Sequence, residues 1–414
     1  MPSNRKKSLN IGMILDGSYP RDIRVRKEAE SLAVHHSVFV LCTKDANEKE
    51  YEEVNGVKIF RWISYKNLIE KGIIDVLLSI NFIHPYFSKK LRRFIDDHSL
   101  DVIHVHDLPL AKSVYKAAQK RKITSILDLH ENYAAGLSIW FSWRKSGIIR
   151  WKNKIFFGYK KWAKYESQCL PQFDRIITVV EEMKQRILQE NVIDASKIEV
   201  IANSEKKTFA KNFELGENNY FLKDKNRFIV SYVGGFGPHR GLHIAIEGMQ
   251  YVMKKLPHAK LVLVGPSNKD VNDHLNNLVK ECGVESHVEI KGREPFEKVV
   301  EIMQGSHINI VPHISNEHTE SAVPHKLYQI LLSGKPLLVS DCAPMKRMVF
   351  ENEMGYVFES GNPMSFAEKV IEIYEDPKKA EQRAQKGFKE TYEGKLNWEH
   401  TEQDLLHLYD NLEN

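Results

Sequence analysis

Short apolar runs alternate with amphipathic stretches along most of the chain. In the first half, residues 9–15, 37–42, 57–62, 102–106, 123–129, 175–180 and 198–201 read as strands of the buried kind. Between them Ile23, Val25, Ala29 and Leu32 mark a helix over 23–33. Helical spacing recurs over 67–97, broken near Pro85, and again over 111–120 and 181–189. Strands alternating with helices predict βαβ units, hence a parallel sheet covered on both faces.

The segment 203–226 is polar and rich in Lys, Asn and Glu, and reads as a linker. A second alternating series follows, with strands at 228–233, 260–264, 288–290, 307–311, 337–339 and 355–358 and a helix over 242–253. Its densest stretch is Val323 to Asp341, VPHKLYQILLSGKPLLVSD. Pro324 suits the first position of a helix, Leu327, Ile330 and Leu331 form its apolar stripe, and Gly334 ends it. Ser321, His325 and Gln329, four residues apart, predict one polar row on the opposite face. A ligand-facing wall and a solvated face both remain open for that row. The predicted domains are 1–205 and 206–394, with a terminal helix over 395–414.

At 42% hydrophobic and 28% charged, the composition is that of an ordinary globular protein. No apolar run reaches the ~18 residues of a membrane span, and the N-terminus lacks a signal-peptide pattern. Cys42, Cys169, Cys282 and Cys342 show no metal or redox spacing, which predicts a reducing, cytoplasmic setting. The net charge of +5 is too mild for dedicated nucleic-acid binding.

Its distribution is uneven. Ala134 to Tyr165 holds eight Lys/Arg, no Asp or Glu, and four of the six tryptophans of the chain. Basic charge attracts anionic headgroups, and Trp and Tyr rings favour the interface. The segment therefore predicts peripheral contact with the inner face of the cell membrane; the competing reading packs these rings inward as helical core.

Candidate chemistry gathers just past strand ends: Asp16 after the first strand, His106 and Asp107 after the fourth, His130 and Glu131 after the fifth. In open parallel sheets, ligands sit outside the carboxyl ends of the strands. The loop GGFGPHRG, Gly234 to Gly241, follows the first strand of the second series. Its glycines let backbone N–H groups approach a phosphate, the helix after it favours negative charge, and Arg240 adds a fork of donors. The spacing is neither G-x-G-x-x-G nor a Walker P-loop.

Seven landmarks in order, YPRDIRVRKEAESL, VIHVHDL, LDLHENY, ITVVEEMKQR, VIANS, YVGGFGPHRGL and VPHKLYQILLSGKPLLVSD, make the chain resemble a GT-B glycosyltransferase of the retaining family 4 type. The resemblance covers nearly all of the chain. It implies two Rossmann-like doubly wound α/β domains facing a cleft, with the terminal helix crossing back to the first.

It also implies roles. The nucleotide diphosphate of the donor would sit at Gly235, Phe236, Arg240 and Gly241, with Lys326 as second clamp and the base near Gly292 and Arg293. His130 would approach the transferred sugar, His106 and Asp107 would line the same side, and Asp16, Gly17, Tyr19 and Arg21 would face the acceptor. Val323, His325 and Lys326 would belong to the donor wall. Relatives carry two glutamates here with seven residues between; this chain has Ser321 and Gln329, with Glu320 the nearest acid. Glu320 would then join His130, Arg240 and Lys326 as catalytic groups.

The resulting expectation is retaining transfer of a hexose from a nucleotide diphosphate-sugar, UDP-sugar ahead of GDP-sugar, to a hydroxyl of a lipid-linked or glycan acceptor. Surface polysaccharide or glycan assembly is the implied setting. No acidic cluster has metal-ligand spacing, so metal independence is expected. Two alternatives share the sequence features: a nucleotide-sugar 2-epimerase of the same fold, and a non-catalytic partner that binds nucleotide-sugar or glycan.

Overall fold

A computed structural model describes residues 8–45, 47–63, 65, 67–140, 153–214, 220–221 and 226–412. Contacts divide the chain into two compact units: residues 1–138, 151–203 and 401–414 form the first, and 139–150 with 204–400 the second. Each is a doubly wound α/β unit built on a largely parallel sheet.

The first sheet contains β1 (Asn10–Ser18), β2 (Ser37–Thr43), β3 (Tyr51–Val54), β4 (Val57–Ile63), β5 (Val102–His106), β6 (Thr124–Leu129), β7 (Arg175–Thr178) and β8 (Ile198–Val200). Their spatial order is β3-β4-β2-β1-β5-β6-β7-β8. All neighbours are parallel except β3 and β4. That hairpin turns through Asn55 and Gly56, both at positive φ, a pair suited to the twist of a two-residue turn. The sequence reading contained β4 but not β3, whose partly exposed Tyr-Glu-Glu-Val carries no buried-strand signal. The helical stretch expected over 67–97 is two helices, Leu68–Asn81 and Phe87–Asp97, parted around Pro85.

The second sheet contains β9 (Phe228–Val233), β10 (Ala259–Val264), β11 (Val288–Lys291), β12 (Ile308–Val311), β13 (Leu337–Ser340) and β14 (Tyr356–Phe358). Its order is β11-β10-β9-β12-β13-β14, parallel throughout. Val230, Leu261, Leu263, Ile310 and Leu338 are fully buried between its helical layers. The segment expected to be a linker carries ordered turns at Lys207–Ala210 and Lys211–Glu214 and belongs, from Ser204 on, to the second unit.

In both sheets the chain winds outward one way and then restarts beside its first strand. The restart lies between β1 and β5 in the first sheet and between β9 and β12 in the second. Loops part on either side of such a point, leaving a crevice at the carboxyl edge.

The aromatic, basic segment is not a uniform surface display. The helix Tyr159–Cys169 buries Trp162, Tyr165, Glu166 and Cys169, a single stripe. Tyr165 stacks on Phe82 at 3.7 Å, Trp162 lies edge-on to Phe82 at 5.1 Å, and the Trp162 indole donates to the Phe156 carbonyl at 3.0 Å. Trp162 and Tyr165 are therefore core, and the expectation that they meet a membrane is corrected: their 3.6-residue spacing points them inward. Phe141, Trp143 and Trp151 lie outside the described residues. Among the described residues, no helix is long and apolar enough to cross a membrane.

Candidate functional site

At the restart of the first sheet, β5 ends in His106 and β6 in Leu129, and the chain turns at Asp107 with φ 62°. This places His104, His106, Asp107, Asp128 and His130 together above the helix Ile23–Ala33, which contributes Glu28. Asp128 is the hub. Its Oδ2 accepts from His130 Nε2 at 2.7 Å and His106 Nδ1 at 3.1 Å, and lies 3.7 Å from His104 Nε2. His130 Nδ1 is 3.5 Å from Asp107 Oδ2. His104 Nδ1 bonds the Tyr409 hydroxyl at 2.8 Å. The three imidazoles stack in series, with centroids 4.4 and 5.4 Å apart.

Burial opposes charge on His130, but Asp128 and Asp107 outweigh it and hold its pKa well above the ordinary value. Burial also opposes charge on Asp128, and the imidazoles overcome it, holding this carboxyl well below the usual range. Glu28, buried beside Asp128, is pushed up to about 8. Both ring nitrogens of His130 thus lie beside carboxylates, which favours its protonated form. Glu28, His104, His106 and Asp128 each offer a ligand atom within 4.8 Å of the others, so among the described residues these four could hold a metal ion.

The acceptor-side residues scatter more than expected. Asp16 and Gly17 lie inside β1, which runs past the expected strand end to Ser18. Burial raises the pKa of Asp16. Arg21 points outward and pairs with Asp45. Tyr19 is a correction: it is fully buried, because Arg61 grips its carbonyl and turns the residue into the core.

The second unit's cluster sits at its own restart, between the ends of β9 and β12. Gly234, at φ 139°, runs so close to Lys326 that a Cβ there would lie 2.4 Å from Nζ. Gly241, at φ 66°, passes under Pro312, where a Cβ would lie 1.7 Å from the carbonyl oxygen. Only glycine permits either approach. Gly241 caps the helix Leu242–Lys255, whose first N–H groups face the loop. Gly235 is exposed, and Phe236 is half-buried against the core. The Gly235 carbonyl accepts from the Tyr232 hydroxyl at 2.9 Å.

The charge here is one-sided. Lys326 Nζ lies 3.7 Å from the centroid of the Tyr232 ring and has no hydrogen-bond partner among the described residues. Burial and Arg240 together push its pKa well below the usual lysine value. Arg240 Nη1 donates to His313 Nε2 at 3.0 Å. His313 therefore presents a lone pair and stays neutral; burial, Arg240 and Lys326 hold its pKa well down. Burial and Arg240 push His239 down to about 2, and its ring lies 5.2 Å from that of His318. A desolvated ammonium beside a guanidinium is costly without a counter-charge, so this pocket suits an anion.

Gly292 and Arg293, just past the edge strand β11, are exposed, and the Gly292 carbonyl accepts from Gly265 N at 3.1 Å. Val323 is buried. The polar row is corrected. Ser321 belongs to a separate 3₁₀ turn, Thr319–Ser321, and an extended Ala322 parts it from the helix His325–Leu332. Pro324 caps that helix and does not enter it. Ser321 Oγ donates to the Glu317 carbonyl at 2.8 Å. Both oxygens of Glu320 are engaged, by Ser315 Oγ at 2.5 Å and Ala343 N at 2.6 Å. Glu320 is thus tied to the start of the helix Ala343–Val349. His325 and Gln329 remain on one face, and both meet Glu205: Gln329 Nε2 donates to its Oε2 at 2.9 Å, and His325 Nε2 lies 3.3 Å away. Sequence reasoning passed over Glu205, and also Asp128, His313 and Glu28. Asp128 alternates with buried apolar neighbours along β6, the one signal that marked it as interior.

Comparison with known proteins agrees with this geometry. Residues 23–204 match the model of glycosyltransferase family 4, and residues 217–390 match that of the glycosyl transferases group 1. An uncharacterised glycosyltransferase of Methanocaldococcus jannaschii is 25% identical over 384 residues, covering 90% of each chain. Sucrose-phosphate synthase from Thermosynechococcus elongatus superposes with a TM-score of 0.76 at 18% identity, covering 98% of this chain and 99% of that one. Anabaena HepE, solved in complex with UDP and glucose, superposes with a TM-score of 0.74 at 13% identity, covering 97% and 100%. With one glycosyltransferase model matched by each half and a parallel α/β sheet in each unit, the protein belongs to the family 4-like GT-B glycosyltransferases.

Proposed function

We propose that the protein transfers a hexose from a nucleotide diphosphate-sugar to a hydroxyl acceptor with retention of configuration, the donor being held on the second unit. The observation that carries this is the uncompensated pair Lys326 and Arg240 against the Gly234–Gly235 backbone. In the reaction, the bond from C1 of the hexose to the diphosphate oxygen breaks and a bond from C1 to the acceptor oxygen forms. Negative charge grows on the diphosphate, and preorganised cations stabilise it there. The acceptor's proton leaves with the diphosphate, on whose oxygen the negative charge grows. UDP is the first candidate donor base, supported by the UDP complex of HepE. Because Lys326 and Arg240 supply the charge, no metal ion is required.

The test is thermal unfolding with UDP and GDP, with and without EDTA. A diphosphate that binds the folded state raises Tm by mass action. The expected result is a shift with one of the two, unchanged by EDTA and lost in Arg240→Ala, a change worth on the order of 2 kcal/mol in affinity. A shift that needs magnesium would overturn metal independence.

We also propose a lipid-linked glycan acceptor, met at a membrane surface by Lys154, Ile155, Lys160 and Lys164, which are exposed beside the buried Trp162. Flotation with anionic vesicles checks it: the protein should rise with the lipid and fall back when the three lysines are changed to glutamine.

A further inference from the structure

Glu205 lies in the interval 205–216 that neither family match spans. It is 7% exposed, and its position is fixed from three sides. Its carbonyl accepts from Trp398 N at 2.9 Å, its Oε1 from Lys206 N at 2.8 Å, and its Oε2 from Gln329. A buried carboxylate held this firmly sets the chemistry of whatever faces it.

A carboxylate only accepts. It therefore turns the amide of Gln329 so that Nε2 faces Glu205 and Oε1 faces away. A free glutamine side chain offers both a donor and an acceptor; this one offers its acceptor. Gln329 lies three residues beyond Lys326 on the helix His325–Leu332, about 4.5 Å further along its axis. Lys326 marks where a diphosphate meets the glycine loop. The hydroxyls nearest a nucleoside diphosphate's phosphates are those of its ribose, and they are donors in need of an acceptor.

We propose that Glu205 is a positioning residue for the donor nucleoside: it locks Gln329 with its amide oxygen presented to the ribose hydroxyls. The acceptor is thus built from two segments, a carboxylate at Glu205 and the neutral amide that it orients. This rests on the reading that the second unit binds a nucleotide diphosphate-sugar. It adds a selectivity: ribonucleotides over their 2′- and 3′-deoxy counterparts.

The experiment is calorimetric titration with UDP, 2′-deoxy-UDP and 3′-deoxy-UDP, and with the guanosine set in parallel. The wild-type protein should bind the ribonucleotide at least tenfold more tightly than one of its deoxy forms. Glu205→Ala should collapse that ratio to within threefold, because the amide can then flip. Gln329→Glu should weaken ribonucleotide binding about tenfold by setting two carboxylates face to face. The exchange Glu205→Gln with Gln329→Glu restores a donor opposite an acceptor and should recover the ratio. That recovery also shows that loss in the single variants is not misfolding. A Glu205→Ala protein that binds nucleotide with the wild-type ratio would overturn the proposal, as would an exchange variant that binds without recovering it. A wild-type protein that binds neither UDP nor GDP would instead overturn the donor reading itself, and this proposal with it.

Discussion

The two clusters occupy equivalent places in equivalent sheets, yet they treat charge in opposite ways. In the first unit His130 faces Asp128 and Asp107, and each favours the charged form of the other. The cluster sets its own opposite charges against one another, and Glu28, buried beside Asp128, is the acid pushed up. In the second unit burial and the Arg240 guanidinium depress the protonation of Lys326, His239 and His313. That cluster is unfinished. The contrast separates a group built to hold a fixed geometry and potential from one built to receive a charge that comes and goes.

The sharpest way to break this contrast is to remove the hub of the finished cluster. Asp128→Asn leaves a buried imidazolium without its main counter-charge, and should cost about 3–5 kcal/mol of stability. Urea unfolding reads it; an unchanged midpoint would mean that the cluster is not held by its own charges.

The same operation on the unfinished cluster should do the reverse. Lys326→Met removes a desolvated cation and should leave Tm unchanged or raised, while kcat/KM falls by about 2–3 kcal/mol, on the order of a hundredfold. A variant that loses both stability and activity would make the two clusters alike.

The smallest effect is the most specific. Lys326 has its pKa lowered in the nucleotide-free protein, and a diphosphate beside it raises that value. Binding therefore takes up protons, less than one per site, and affinity falls as pH rises through the interval between the two values. Calorimetry in two buffers of different ionisation enthalpy measures the uptake, which Lys326→Met should abolish.

Much of the architecture was legible because parallel strands are buried on both faces and read as apolar runs. The glycine loop and the residues past β5 and β6 were legible for the same reason: polar groups at a strand's carboxyl end stand out against the run before them. What escaped depended on contacts distant in sequence. Glu205 sits in a polar segment and acquires its partners only when the helix bearing Gln329 packs beside it, 124 residues on. Ser321 keeps helical spacing from His325, but the extended Ala322 breaks the helix between them. Composition groups Trp162 and Tyr165 with a surface display, whereas their own stripe with Cys169 points them inward.

The bond from His104 to Tyr409 has a consequence for how the chain can be cut. The first unit is discontinuous: it opens the sequence and is finished only by residues 401–414. A fragment ending near residue 203 would carry every strand of the first sheet and still leave His104 Nδ1 without its hydroxyl. Conversely, a stop after His400 spares the second unit's residues and does its damage to a cluster encoded three hundred residues upstream. An isolated first unit therefore calls for a splice of the terminal helix onto the fragment, not a truncation.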